Sequence, residues 1–417
     1  LKRTSMLIKI LLTIVLATVV GNFVGESRSI FGISFYSIFS FGGQLFLQSL
    51  TLLVVPLVMS ALVSGLSQLG GSSSFGRLGL KTIGFYVFTI SLAVLTGVFF
   101  FNIIHPTPIS LGQHVAVEQV NQIAIVSPGE AFSKLLLKLI PSNIVYAAAE
   151  GNMLGIIFFS LIFGYAIAKV GGQGGNLLTQ FWQAIFQTMM KIAEIIMKIL
   201  PLGVFCLVAK VVASGGMQSI QGLGYFILTV VLALGFFIFG LLPLLLKCFG
   251  ISPVEHLKKM MPALITAFST SSSAASLPVT MECVEGLGVS RRICGFVIPL
   301  GTSLNMAGSA LYECVAALFI AQSFGVEMTI GYQILIAVLS LITSMGITGI
   351  PSASLVAIII ILNTMGVPAE GIALVIPVDR LLDMCRTTAN VYSDATCATL
   401  VAHMEGEALF NKRALAT

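Results

Sequence analysis

The sequence predicts an all-α membrane protein of eight transmembrane helices plus two re-entrant helical hairpins, and three observations carry that prediction. The 417-residue chain is 57% hydrophobic and 9% charged, whereas soluble domains carry about 25% charged residues. Apolar runs long enough to cross a hydrocarbon core of about 30 Å recur along most of its length. In two places, half-length apolar runs meet at a Ser/Gly/Pro-rich tip, a pattern that a simple span does not produce. So many spans leave no room for a large soluble domain.

Taken in order, full spans fall near Met6–Val24, Ser37–Leu66, Gly79–Ile104, Ala147–Val170, Phe181–Val212, Tyr225–Cys248, Ile293–Gln322 and Ala373–His403. The chain opens on Leu1, which points to a natural start further upstream. Met6–Val20 lacks a small-residue cleavage site and reads as a span, not a signal peptide. Pro141 and Pro201 interrupt apolar stretches, so kinked or broken helices are expected there. The polar stretch His105–Pro128 is the longest external loop. The basic residues sit between apolar runs: Lys2, Arg3 and Lys9; Arg77 and Lys81; Lys247, Lys258 and Lys259; Arg291 and Arg292; Lys412 and Arg413. This positive-inside pattern places both termini in the cytoplasm and requires an even number of crossings. The formal net charge of +5 is thus topological and does not point to a nucleic-acid partner. The seven cysteines form no CxxC pair and read as small buried hydrophobes, and the four histidines have no metal-ligand spacing. The absence of an Asn-x-Ser/Thr acceptor favours a bacterial or archaeal source, hence a plasma or inner membrane.

The first hairpin is Pro253–Leu287, with the tip Ser269-Thr-Ser-Ser-Ser-Ala-Ala-Ser-Leu-Pro278. The second is Ile330–Met365, with the tip Ser344-Met-Gly-Ile-Thr-Gly-Ile-Pro-Ser-Ala-Ser354. Non-helical backbone at membrane depth needs partners from protein or water, so such tips line sites. A full helix follows each hairpin, and paired interrupted segments point to a transporter binding site. The plainer alternative is two small-residue helices that use Ser and Gly for close approach.

The last span decides between them. Val378-Asp-Arg-Leu-Leu-Asp-Met-Cys-Arg-Thr-Thr-Ala-Asn-Val-Tyr-Ser-Asp394 sets Asp379, Asp383, Arg386, Asn390 and Asp394 inside an otherwise apolar segment. At 3.6 residues per turn, Asp383, Thr387, Asn390 and Asp394 form one narrow stripe, with Asp379 and Arg386 at its edges. Each ionised residue at mid-bilayer costs about 3 kcal/mol even on the lenient insertion scale. So much charge on one face needs partners: a structural ion-pair network, or a ligand. Arg386 offers a planar fork for a carboxylate, and Asp383 suits an ammonium. Asn390 and the amides of the hairpin tips suit a second carboxylate. One cation site and two carboxylate sites describe aspartate or glutamate. Asp394 suits a metal cation, with backbone carbonyls near Asn305 and Asn390.

With these residues in place, the chain resembles the glutamate/aspartate transporter family, the dicarboxylate/amino acid:cation symporters. That family includes the excitatory amino-acid transporters and archaeal aspartate transporters. The likeness covers nearly the whole chain. It is densest in the serine-rich tip ending Leu277-Pro-Val-Thr280, in Asn305-Met-Ala-Gly308, in Gly346-Ile-Thr-Gly-Ile-Pro351 and in the last-span array. The resemblance implies inverted repeats and an elevator-type homotrimer in the lipid bilayer. Residues 1–76 and 106–222 would form a static scaffold. Residues 77–105 and 223–417 would form a moving transport domain gated by the second hairpin. It further implies that Asp383 binds the substrate amino group and Arg386 its side-chain carboxylate. Asn390 and Ser273 would hold the α-carboxylate, with Ser309 and Thr387 nearby, and Ser271, Ile350 and Ser354 would complete the site from the tips. Ser354 stands where relatives often have Gly. Arg380 falls between charged positions of the motif and receives no role.

The cation sites depart from the family pattern. The usual Asn-Met-Asp-Gly is here interrupted by Ala307, and Ile90 replaces a hydroxyl residue after Tyr86 and Thr89. One sodium site is therefore degraded to Tyr86 and Thr89, because a hard cation without its carboxylate binds poorly. A second would rest on Asp394 with carbonyls of Gly301, Asn305 and Asn390. A third would rest on carbonyls around Ser303, Ser344, Met345 and Ile347. Glu313 matches the proton-carrying position of proton-coupled relatives, the alternative being a permanently protonated core residue. The expectation is a symporter that takes up acidic amino acids, with weakened sodium dependence and protons as candidate coupling ions. Sodium ions and protons apart, no cofactor is implied. Neutral amino acids or C4-dicarboxylates are the alternative cargoes. An anion-conducting channel needs a continuous polar path, whereas these charges cluster. No nucleophile–base or metal motif suggests an enzyme.

Overall fold

The computed structural model describes residues 2–25, 28–30, 33–67, 73–108, 140–150, 152–215, 218–345 and 353–409. Apart from a two-residue antiparallel pairing of β1 (Ser29–Ile30) with β2 (Ile33–Ser34), the regular structure there is helical. The first helices are α1 (Lys2–Val24), α2 (Phe35–Ser67) and α3 (Ser73–Ile104). Then come α4 (Ile144–Ala149), α5 (Met153–Val170), α6 (Gly172–Lys198) and α7 (Leu200–Gly215). Next is α8 (Gln218–Phe236), which passes through a π turn at Phe237–Leu241 into α9 (Leu242–Cys248). The π turn lies just before Pro243, whose ring nitrogen has no proton to donate.

The C-terminal half is built from shorter pieces: α10 (Pro253–Thr270), α11 (Ser273–Glu285), α12 (Arg291–Leu304), α13 (Ala307–Ser323), α14 (Ile330–Ser344) and α15 (Ala353–Thr364). A 3₁₀ turn at Ala369–Leu374 leads into α16 (Ile376–Met404). Thus α10 and α11 meet at a two-residue turn within the predicted first tip, and α14 and α15 flank the predicted second one. Gly346 to Ser352, including Ile347 and Ile350, lies outside the described residues.

Three expected spans are broken by non-helical residues in their interior. The segment Ala147–Val170 breaks between α4 and α5, because Asn152 caps the start of α5 through Gly155 N. Phe181–Val212 breaks at Ile199, beside Pro201. Ile293–Gln322 breaks where Asn305 (ψ 67°) and Met306 (ψ 52°) leave the helical region. Among the described residues, three stretches are long and apolar enough to cross a membrane: Leu78–Ile104, Gly222–Cys248 and Arg291–Ser323. The last is enclosed by protein, whereas the first two keep apolar side chains such as Leu80, Leu95 and Phe239 on the outside.

The packing falls into two groups. Helix α1 packs on α7, and α2 on α5, α6 and α7. Helix α3 instead packs on α8, α13, α14 and α16, while α10 and α11 pack on each other and on α16. At the centre of the second group lies α13, with every residue from Ala307 to Ala321 buried. Gly308 lets it meet α16 closely: a Cβ there would sit 2.5 Å from the Arg386 carbonyl oxygen and 2.6 Å from Ala389 Cβ.

Candidate functional site

Helix α16 carries its polar residues at helical spacing, so one face collects them. Asp379, Asp383, Arg386, Thr387, Asn390 and Asp394 are all buried. Their partners are largely each other. Arg386 Nη1 donates to Asp379 Oδ1 at 2.7 Å, and its Nε donates to Asp383 Oδ1 at 3.0 Å. Arg386 Nη2 is also 2.9 Å from Asp383 Oδ1, without hydrogen-bond alignment. The other Asp383 oxygen, Oδ2, accepts from Arg380 Nη1 at 3.0 Å. The ring of Tyr312, on α13, lies under the Arg386 guanidinium with its centroid 4.3 Å from Cζ, a cation–π contact. Two carboxylates and two guanidiniums thus balance in formal charge within one network. That offsets the desolvation which a lone buried charge would suffer.

Asn390 works on α13 rather than on its own helix. Its Oδ1 accepts from Gly308 N at 2.8 Å and Ser309 N at 3.2 Å, and its Nδ2 donates to Ser309 Oγ at 3.1 Å. Met306, at the N-cap of α13, provides no capping side chain. The orphan amides of that helix start are therefore satisfied from across the interface.

One turn further along α16 is a second polar cluster. Asn305 Nδ2 donates to Asp394 Oδ1 at 2.9 Å and Ser393 Oγ at 3.1 Å, while its Oδ1 is 3.1 Å from the Thr89 hydroxyl. Tyr86 donates its hydroxyl proton to the Val297 carbonyl. Gly301 has no room for a side chain, since a Cβ would collide with the Asp394 carboxylate and sit 3.0 Å from Tyr86 Oη. Cys397 Sγ is 3.7 Å from Thr89 Oγ1. The Tyr86–Thr89 pair and the Asp394 group, expected as two separate cation sites, thus adjoin through Asn305. Ala307 and Ile90, both fully buried, bring no side-chain oxygen to this region.

Glu313 is fully buried in α13. Its Oε2 is 3.4 Å from Thr343 Oγ1, on α14, and its Oε1 has no hydrogen-bond partner among the described residues. It directly follows Tyr312, the residue under Arg386. At the first tip, Ser271 is left-handed (φ 48°), an uncommon state for a residue with a Cβ. Ser272 Oγ accepts from Ala275 N at 3.3 Å and so caps α11, which begins at the buried Ser273. Ser354 is buried in α15, and Ser344 and Met345 end α14. Ser303 is part-buried near the end of α12.

Of the expected substrate residues, Asp383 and Arg386 join in the ion network, and Ser309 and Asn390 meet across α13 and α16. Sequence reasoning missed the partner of Arg380, although its place three residues before Asp383 is a helical pairing distance. It also missed the Asn390 cap, the Tyr312 contact and the neighbours Ser393 and Cys397. Most of those depend on how separate helices meet and have no local signal.

A family model described as the sodium:dicarboxylate symporter family matches residues 6–404 of this chain. The chain is 34% identical to the proton/sodium-glutamate symport protein of Bacillus subtilis (strain 168) over 372 residues, covering 88% of this chain and 86% of that one. It is 33% identical to the proton/glutamate-aspartate symporter of Escherichia coli (strain K12) over 422 residues, covering 99% and 96%. It is 32% identical to human excitatory amino acid transporter 5 over 471 residues, covering 97% and 82%.

Proposed function

Because the chain belongs to the sodium:dicarboxylate symporter family, we propose that it takes up aspartate or glutamate by symport with cations. The observation that carries this reading is the pairing of Arg386 with Asp379 and Asp383 in the protein interior. The pairing places a guanidinium fork and a carboxylate side by side on one helix face, as a zwitterion with an extra carboxylate requires. Arg386 would take the side-chain carboxylate and Asp383 the ammonium. Ser309 and Ser273 would hold the α-carboxylate, with Asn390 holding the α13 amides in place, and Thr387, Ser271, Ile350 and Ser354 would close the site.

The arrangement we infer has eight spans, two re-entrant hairpins at α10–α11 and α14–α15, and a multi-pass plasma-membrane topology with both termini cytoplasmic. In a prokaryote this is the inner membrane. The two packing groups support a scaffold of residues 1–76 and 106–222 and a transport domain of residues 77–105 and 223–417. The transport domain would move as an elevator within a homotrimer.

For the coupling ions, Glu313 would carry a proton and Asp394, with Gly301, Asn305 and Asn390, a sodium ion. A further sodium site near Ser303, Ser344, Met345 and Ile347 completes the proposal. The missing oxygens at Ala307 and Ile90 weaken the Tyr86–Thr89 site. An acidic amino acid carries one net negative charge, so one cation per substrate gains nothing from the membrane potential. Each further cation gains about 2.3 kcal/mol per 100 mV, so electrogenic uptake needs two or more.

A second reading has one observation in its favour. Arg380 occupies the Asp383 oxygen that an ammonium would use, which suits a C4-dicarboxylate without an amine. Uptake of labelled aspartate, glutamate and succinate into proteoliposomes, with sodium and proton gradients imposed separately, tests both. Aspartate or glutamate uptake driven by either gradient is expected. Uptake of succinate alone would reverse the assignment.

A further inference from the structure

The two guanidiniums on Asp383 are held very differently. Arg386 is fixed from three sides, by Asp379, by Asp383 and by the ring of Tyr312, and its side chain is 1% exposed. Among the described residues, Arg380 makes its one ion pair with Asp383 Oδ2, and its side chain is 11% exposed. Each guanidinium takes a different oxygen of the same carboxylate. A ligand ammonium at Asp383 therefore competes with these guanidiniums, and Arg380 has the fewer bonds to lose and the shorter way to solvent.

We propose that Arg380 is a tethered counter-ion, holding the ammonium position on Asp383 while the site is empty and giving it up to the substrate. The proposal rests on the acidic amino-acid reading and extends it. Charge counting supports it. With Arg380 in place, Asp379, Arg380, Asp383 and Arg386 sum to zero, so this group of four is neutral without substrate. Without Arg380 the same site carries one uncompensated negative charge at membrane depth, where unpaired ions are costly. Loss of Arg380 therefore adds one negative charge to the empty transport domain, and that charge impedes its return across the membrane. Arg380 acts through Asp383 and is in that sense a positioning residue for the substrate amine.

The test compares Arg380→Gln and Arg380→Lys with the unaltered protein in proteoliposomes. Aspartate and succinate share two carboxylates and differ in the amine, so their relative affinity isolates the Asp383 contact. Succinate is measured as an inhibitor of aspartate uptake. In Arg380→Gln the preference for aspartate over succinate is expected to rise about tenfold, the factor for removing roughly 1.4 kcal/mol of competition. Net uptake, which requires return of the empty site, is expected to fall about tenfold relative to aspartate–aspartate exchange, which does not, the same roughly 1.4 kcal/mol. Arg380→Lys keeps the charge and is expected to move both ratios back toward those of the unaltered protein.

Unchanged ratios in Arg380→Gln would overturn the proposal. So would an Arg380→Lys variant no closer to the unaltered protein than Arg380→Gln, a comparison that a general loss of stability cannot imitate. If the unaltered protein takes up no acidic amino acid, the failure lies in the transport reading itself. If it does and the ratios stay put, only the counter-ion role of Arg380 fails.

Discussion

Arg386 holds two carboxylates and rests on an aromatic face, so its removal leaves Asp379 without its guanidinium and Asp383 with Arg380 alone in the interior. Breaking a buried pair from one side costs about 3–5 kcal/mol. Arg386→Ala is therefore expected to abolish acidic amino-acid binding and to lower the thermal midpoint in detergent. Binding by calorimetry at an undiminished affinity would contradict this. On the proposed assignment, Asp383→Asn would remove the ammonium's counter-charge, so aspartate affinity is expected to fall more than succinate affinity, and equal losses would move the amine elsewhere. Glu313 poses a different question, as a fully buried carboxyl beside Thr343 that we propose to be the proton carrier. Glu313→Gln is expected to blunt the response of uptake to an imposed proton gradient while leaving the response to sodium. A variant that follows the proton gradient as before would remove Glu313 as the carrier. The residue types of α16 were legible in the sequence, since so many charges in an apolar span demand partners. Their actual pairing was not, because both Arg386 and Arg380 lie one helical turn from Asp383 and spacing alone does not choose between them.

At the scale of single elements, the break at Asn305–Met306 organises the site. It ends α12 beside Asp394 and starts α13 beneath Asn390, so both clusters depend on it. Because Met306 cannot cap α13, Asn390 supplies the acceptor. Asn390→Ala would strand two buried amides, and losing a helix cap costs about 1 kcal/mol, more when the donors are left without water. A lower thermal midpoint without substrate is expected, together with weaker substrate binding. Weaker binding at an unchanged midpoint would mean that Asn390 serves the ligand alone. The α10–α11 turn was readable from its serine run, whose small hydroxyl residues suit tight turns and caps. The break inside Ile293–Gln322 was not, since no proline or glycine marks it at Asn305–Met306 and apolar periodicity continues across it.

For the whole molecule, the two packing groups meet through a few helices, among them α2 against α12 and α15. If one group slides past the other, a cysteine pair bridging α2 and α15 is expected to stop transport once oxidised while leaving substrate binding. Native mass spectrometry is expected to find a trimer, and a stable, active monomer would count against the elevator. Sequence by itself determined the membrane class, the interrupted C-terminal segments and the charged last helix, because hydropathy, breakers and the energetic penalty of buried charge are written locally. It also showed that positions 307 and 90 hold Ala and Ile, which have no side-chain oxygen, a matter of residue type. Only the tertiary structure decided that Tyr86 and Thr89 adjoin the Asp394 cluster through Asn305, that Tyr312 lies under Arg386, and that Asn390 caps α13. Those contacts join residues from about 75 to more than 200 positions apart. They exist because Gly301 and Gly308 allow helices to approach where any side chain would hold them apart, and close approach is a property of the packed whole.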